Sequence, residues 1–253
     1  MIRRTFRRLF LLAAFGFAVA VRNLRPSAEE LLSLEWYREA PVRLTMLWLT
    51  HLLPRLYRMF GERGVKALQF VFYQVGVGRA PLLQRGLEID PNDARSLGRV
   101  LDYEDGLVGV KGVWTEECKG RAVKEERRCP AARELAACPE VCTHLMMALE
   151  AGTFSVINPD LSVPEITKLL SCGDDCCLAV IEVPGAGDEA GATSPQATPG
   201  EFPPVLKVPG LQGQLMIQGL TSVGKAVYKL VTEGPDQPME WYEFIRYAPD
   251  TAD

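Results

Sequence analysis

The sequence predicts an α+β fold in which amino-terminal helices pack on a small, mostly antiparallel sheet, with cysteine-bearing helices over one face. Three observations lead there. The pattern is helical from Ser27 to about Leu87, two short strand patterns follow at Gly109–Glu116 and Arg121–Arg128, and a third strand-like run begins at Cys177. Between the second and third strands lies a helical block from Ala131 to Ala151, so helices and strands come in separate runs rather than in strict alternation, which points to α+β and not to α/β.

Met1–Arg25 reads as a targeting or anchoring segment. Arg3, Arg4, Arg7 and Arg8 lead into an unbroken apolar run from Leu9 to Val21. As a helix this run spans only about 20 Å, short of a membrane crossing. Its length fits the apolar stretch of a secretory signal, with Ala18-Val19-Ala20 as a small-x-small cleavage pattern. An arginine-rich, acid-free start equally suits an organellar transit peptide, a twin-arginine export signal, an uncleaved membrane-surface anchor or a buried helix. An exported, organellar or membrane-associated location is therefore expected, with membrane contact through residues 1–25.

Ser27, with Glu29 and Glu30 behind it, marks a helix start. Val42–Phe60 is apolar nearly all round, with Pro54 as a kink or stop, and Val65–Val75 carries Leu68, Phe70, Val71 and Phe72. Arg43, Arg55, Arg58 and Arg63 read as a solvated rim to these helices. Asp90-Pro91-Asn92-Asp93 starts another helix that ends before Gly106. The strand Arg121–Arg128 has charges on both faces and reads as an edge strand protected by Lys124 and Arg128. In the helical block, Val141, Leu145, Ala148 and Leu149 form a buried stripe, interrupted ahead of it at Cys138-Pro139. Cys177–Val183 is too continuously apolar to be half exposed. Pro184–Pro209, with six prolines and four glycines, lacks the apolar groups to order itself and reads as a disordered insertion. The last segment, Gly210–Tyr247, contains Leu215, Met216, Ile217, Val227 and Leu230 and is expected to dock on the core. The domain plan is thus a leader (1–25), a helical part (26–89), an α+β core (90–183), the insertion (184–209) and a docking segment (210–253).

The chain has 253 residues, 47% hydrophobic and 24% charged, which excludes a collagen-like, wholly disordered or multi-span membrane protein. Six of its 28 basic residues lie in residues 1–25, leaving 22 basic against 32 acidic groups in the remainder. So acidic a body does not bind nucleic acid, which needs a basic face. No GxGxxG, P-loop, HExxH or GxSxG pattern is present.

All seven cysteines fall between positions 118 and 177. Cys138-x3-Cys142 and Cys172-x3-Cys176 suggest a zinc or other divalent-metal site, with Cys129, Cys138, Cys142, Cys172, Cys176 and Cys177 as candidate ligands. A disulfide framework is a second reading, with one thiol left over from the odd count. The third is a reactive thiolate: Cys129 and Cys138 each precede a proline that opens a helix, and the positive helix end lowers a thiol pKa. His144 lies two residues past Cys142 and points away from it, toward Cys129 or Cys177 instead. Each cysteine taken singly reads as a small buried hydrophobe.

The order Arg128-Cys129-Pro130, Cys142, Asn158-Pro159, Lys168, Gly173-Asp174 and Cys177 before an apolar strand resembles the L-2-amino-thiazoline-4-carboxylic acid hydrolase family over residues 90–183. The Gly-Asp-x-x-Cys and strand are also similar to the four-vinyl-reductase type of small-molecule-binding domain. The first resemblance implies hydrolytic opening of a cyclic amidine in a sulfur heterocycle, giving an N-carbamoyl-cysteine. Under it Cys129, Cys142 and Cys177 are the operative thiols, with Cys129 or Cys177 as nucleophile or metal ligand. Asp174 is the candidate base, His144 a further catalytic candidate, and Arg128, Asn158 and Lys168 the candidate substrate-binding residues. The alternative is a non-catalytic, membrane-associated module binding a small ligand or metal on the same fold. On local grounds Gly173-Asp174 reads as an ordinary turn before a strand.

Overall fold

The computed structural model describes residues 34–161, 165–186 and 208–232, together with Val19 and Asn23. The leader, the centre of the proline-rich insertion and the aromatic cluster at Trp241-Tyr242 lie outside the described residues. Among the described residues no helix is long and apolar enough to cross a membrane.

Two long helices come first, α1 (Leu34–Phe60) and α2 (Glu62–Gly86). Both run further than the sequence pattern suggests. Pro41 and Pro54 lie inside α1 and Pro81 inside α2, so Pro54 does not stop the helix. Tertiary packing overrides the prolines: Leu49, Leu52, Leu53 and Leu56 of α1 are buried with Val65 of α2 in one apolar cluster. Gly61, at φ 59°, makes the left-handed turn that separates the two helices.

Asp93 caps α3 (Ala94–Val108), its carboxylate accepting from the Arg95 N–H, and Gly109 closes the helix in the left-handed region. Strands β1 (Lys111–Glu117) and β2 (Arg121–Arg128) form an antiparallel pair. A short helix α4 (Ala132–Leu135) leads into a wide π-helical turn at Val141–Met146, which runs on as α5 (Met147–Ile157). Then come the two-residue β3 (Glu165–Ile166), β4 (Cys177–Glu182) and α6 (Leu211–Thr232). The sheet order is β1-β2-β4-β3, antiparallel throughout, and the architecture is α+β as predicted.

The edge assignment of the second strand is corrected. β2 pairs with β1 on one side and β4 on the other, and Lys124 at its centre is only 1% exposed. Alternation places Ala122, Lys124 and Glu126 on one face, level with Trp114 and Gly112 of β1 and with Ile181, Ala179 and Cys177 of β4. α3 lies across that face: Gly98 leaves room for the Trp114 ring, and Asp102 and Asp105 reach Lys124.

α2 is the spine of the helical layer. It meets α5 backbone to backbone, since a Cβ at Gly76 would strike the Leu149 carbonyl and one at Gly152 the Tyr73 carbonyl. α6 lies along α2 through Leu211, Ser222 and Ala226, with Gly78 and Gly86 giving the clearance. Arg43, expected on a solvated rim, is instead buried and bonded to Glu134 at 2.8 Å. Met216 and Ile217, expected in the core, face outward at 66% exposure each.

Candidate functional site

Two features converge on the inner face of the sheet: a cluster of three thiols around Glu126, and a charge network behind it. The network joins five elements. Arg79 of α2 pairs with Glu104 of α3 at 2.7 Å and Glu150 of α5 at 2.9 Å, and its Nε donates to the Thr153 hydroxyl at 2.8 Å. Lys124 of β2 donates to Asp102 at 2.7 Å and Asp105 at 2.6 Å, and its ammonium stands 5.3 Å from the centroid of the Trp114 ring. The Trp114 indole N–H also donates to Asp102, at 3.0 Å. Burial alone would lower Lys124, but the Asp105 and Asp102 carboxylates overcome it and hold the ammonium above its usual range.

With Glu126, five carboxyl groups share two cations in this region, so protonation must settle the balance. Burial, with the Glu150 carboxylate close by, pushes Glu104 well above the ordinary range against the pull of Arg79. Burial also pushes Glu126 up to about 8. Asp105, Glu150 and Asp102 add to the shift, and only Lys124 opposes it. As a whole residue Glu126 is part-buried, and desolvation is the largest cause of its shift.

Glu126 faces Cys177 directly across the β2–β4 register. Cys129 follows three residues later, and Cys142 comes from the π-helical turn. The turn Leu170–Cys172 ties the cluster together: the Leu170 N–H donates to Cys177 Sγ at 3.4 Å and the Ser171 hydroxyl to Cys142 Sγ at 3.8 Å. Cys129 acts on Cys142 and Cys177, Cys142 acts on Cys177, and Glu126 acts on all three. Burial raises Cys129 to about 11 and both Cys142 and Cys177 to about 12. Burial therefore works against the stabilised thiolate expected at a helix end, and desolvation is the largest cause of the rise at all three thiols. At pH 8 iodoacetamide is expected to modify exposed Cys172 first and leave Cys129, Cys142 and Cys177 unmodified in the folded protein. Peptide mapping reads the order, and fast labelling of Cys142 would contradict it.

The other sequence candidates are placed elsewhere. Asp174 accepts from the Leu169 N–H at 2.7 Å and closes the turn before β4, a structural task rather than that of a base. Exposed Lys168 pairs with exposed Asp175 at 3.2 Å. Asn158 is buried and ties loops together, donating to the Pro91 carbonyl at 2.7 Å and accepting from the Asp160 N–H. His144 is buried, with Nδ1 2.8 Å from the Thr143 hydroxyl. Arg128 bonds Glu39 at 2.7 Å while staying accessible to solvent. Cys138 belongs to the apolar cluster with Leu135 and Val141, Cys176 is buried next to Asp175, and Cys172 is exposed. Among the described residues no group of three or more His, Cys, Asp or Glu side chains is placed to hold a metal ion. The two x3 cysteine pairs thus form no common shell.

Sequence reasoning missed Glu126, Arg79, Glu104, Glu150 and the Lys124–Asp102–Asp105 group. The available signals were Lys124 and Glu126 alternating with Ala122 on a strand, and Asp102 and Asp105 one helical turn apart. Neither reveals itself without knowing that α3 covers the sheet. Compared with protein-family models, curated proteins and solved structures, the chain matches none.

Proposed function

We propose that the protein is a hydrolase of small cyclic amidines of the 2-amino-thiazoline-carboxylate kind, with Glu126 as its acid–base group. The observation that carries this reading is Glu126 itself: a carboxyl group on a central strand, pushed up to about 8, opposite Cys177 and near two further thiols. Strongly shifted groups of this sort concentrate where acid–base chemistry is done.

In the proposed reaction the water oxygen adds to the ring carbon that carries the amino group, and the bond from that carbon to sulfur breaks. The oxygen becomes the carbamoyl carbonyl. One water proton ends on the ring nitrogen and the other on the released sulfur, so atoms and charge balance. Glu126 takes a proton from the attacking water and returns it to the departing sulfur. A group titrating near 8 does both close to neutral pH. The three neutral thiols supply a soft, polarisable wall for the ring sulfur rather than a nucleophile. Arg128, two residues beyond Glu126 on the same strand, is the cation for the substrate carboxylate.

The test uses 2-amino-thiazoline-4-carboxylate as substrate and chromatographic detection of N-carbamoyl-cysteine. For the wild type, kcat/KM is expected to rise with pH and level off above about 8. Glu126→Gln is expected to reduce kcat by about 10²–10⁴-fold. An unchanged Glu126→Gln enzyme removes Glu126 from the chemistry. Calorimetric binding of the compound without product formation replaces the hydrolase with the non-catalytic ligand-binding module.

A further inference from the structure

α6 is apolar on both sides. Its inner side, through Leu211, Leu215, Ser222 and Ala226, is buried or part-buried along α2. A helix at the surface of a folded domain ordinarily turns charged and polar groups outward. α6 turns out Met216, Ile217, Leu220 and Tyr228, which are 66%, 66%, 71% and 69% exposed, with Val223 beside them. At 100° per residue these five positions occupy one continuous stripe, interrupted only by glycines. Exposed Lys225 stands at its border. These four residues are the most exposed large apolar side chains among the described residues.

The charge pattern indicates what covers the stripe. Residues 202–232 contain three lysines and no acidic residue, in a body that otherwise carries an excess of acids. Residues 1–28, with six arginines, are likewise free of acids, as are residues 40–61 and 63–87 in the packed helices. An amphipathic helix with an uncharged apolar face, a bordering lysine and no carboxylates is complementary to an anionic lipid surface, where the apolar face sinks about 5–10 Å into the headgroup boundary. No described helix is long and apolar enough to cross a membrane, so the helix lies on the surface rather than spanning it. We propose that the outward face of α6 docks the protein on an anionic membrane surface, with Ile217 and Leu220 as the inserted side chains and Lys225 at the headgroups. This is a second contact, separate from the one expected of residues 1–25, and it does not depend on the hydrolase reading.

The experiment is flotation of the full chain with phosphatidylcholine vesicles with and without phosphatidylserine. The wild type is expected to float with the anionic vesicles. The double variant Ile217→Glu/Leu220→Glu is expected to bind them at least about tenfold more weakly, since each new carboxylate is repelled and each lost side chain no longer inserts. Both sites are exposed, so thermal unfolding close to that of the wild type checks that the fold is kept. Lys225→Glu is expected to weaken binding most at low salt. Unchanged vesicle affinity of the double variant overturns the proposal. So does a wild type that ignores both vesicles but forms a dimer, by light scattering, that the double variant dissolves; the stripe would then be an interface between copies of the chain.

Discussion

Arg79→Met lowers the unfolding free energy by about 3–5 kcal/mol at pH 7, the usual cost of removing one partner from a buried ionic group. Among the described residues Arg79 is the cation paired with both Glu104 and Glu150, and it holds Thr153 as well. Methionine matches its stem but leaves two carboxyl groups facing each other beneath α2. The loss is pH-dependent with a definite sign. Glu104, already held above the ordinary carboxyl range, takes up a proton more readily as pH falls, so the deficit shrinks toward pH 5. Urea denaturation at pH 7 and pH 5 measures both values. The triple variant Arg79→Met/Glu104→Gln/Glu150→Gln is expected to regain most of the loss, because the uncompensated charge is gone. A single-variant loss below about 1 kcal/mol, or no recovery in the triple variant, would show that the ion pairs do not lock α2, α3 and α5 together.

The second large effect couples stability to the proposed chemistry. Glu126 holds its proton in the folded chain up to about 8, against an ordinary carboxyl value of 4.5. Between those values the folded state binds more protons than the unfolded state, so stability falls as pH rises through this window. The contribution is fully present below about pH 4.5 and lost above about 8. Glu126→Gln removes the titration. The variant is therefore expected to be more stable than the wild type at pH 9, by roughly 3 kcal/mol, and to show a shallower dependence between pH 5 and 9. That figure lies below the full conversion of the shift because Glu126 keeps some contact with water. Some slope remains, since Glu104 is raised in the same direction. A residue whose removal stabilises the protein while abolishing turnover is held there for its chemistry. Parallel pH–stability curves for the two proteins would show that Glu126 is solvated like any surface acid.

Much of the architecture is legible in the sequence because it depends on local pattern. Asp93 marks the start of α3 and acts on a backbone group two residues on, whereas the end, expected before Gly106, falls at Gly109. The apolar run at Cys177 identifies β4 as an interior strand. The thiols Cys129, Cys142 and Cys177 are picked out by a resemblance that names residues far apart in the chain, and the structure does place them around one carboxyl group.

Other features are not legible, for a single physical reason: the meaning of a charge depends on what lies opposite it. Lys124 and Glu126 read as solvated strand residues because charges ordinarily are, and β2 therefore reads as an edge. Asp102 and Asp105, brought over β2 by α3, make a buried lysine affordable, so the strand sits in the middle of the sheet. Asp174, a candidate base by resemblance and an ordinary turn residue on local grounds, closes the turn before β4, and Lys168, a candidate for substrate binding, pairs with Asp175. Helix ends suggest reactive thiolates, and burial reverses the sign.

By itself, then, the sequence determined the fold class, the start of α3 at its Asp93 cap and the β4 strand, because short-range hydrogen bonding and hydrophobic period are written in neighbouring residues. Only the tertiary structure decided that Glu126 is the titrating group at the thiol cluster, that Arg79 joins α2, α3 and α5, and that α6 turns an apolar stripe outward. Those outcomes depend on desolvation and on charges brought together from distant positions, and neither quantity exists until the chain has folded.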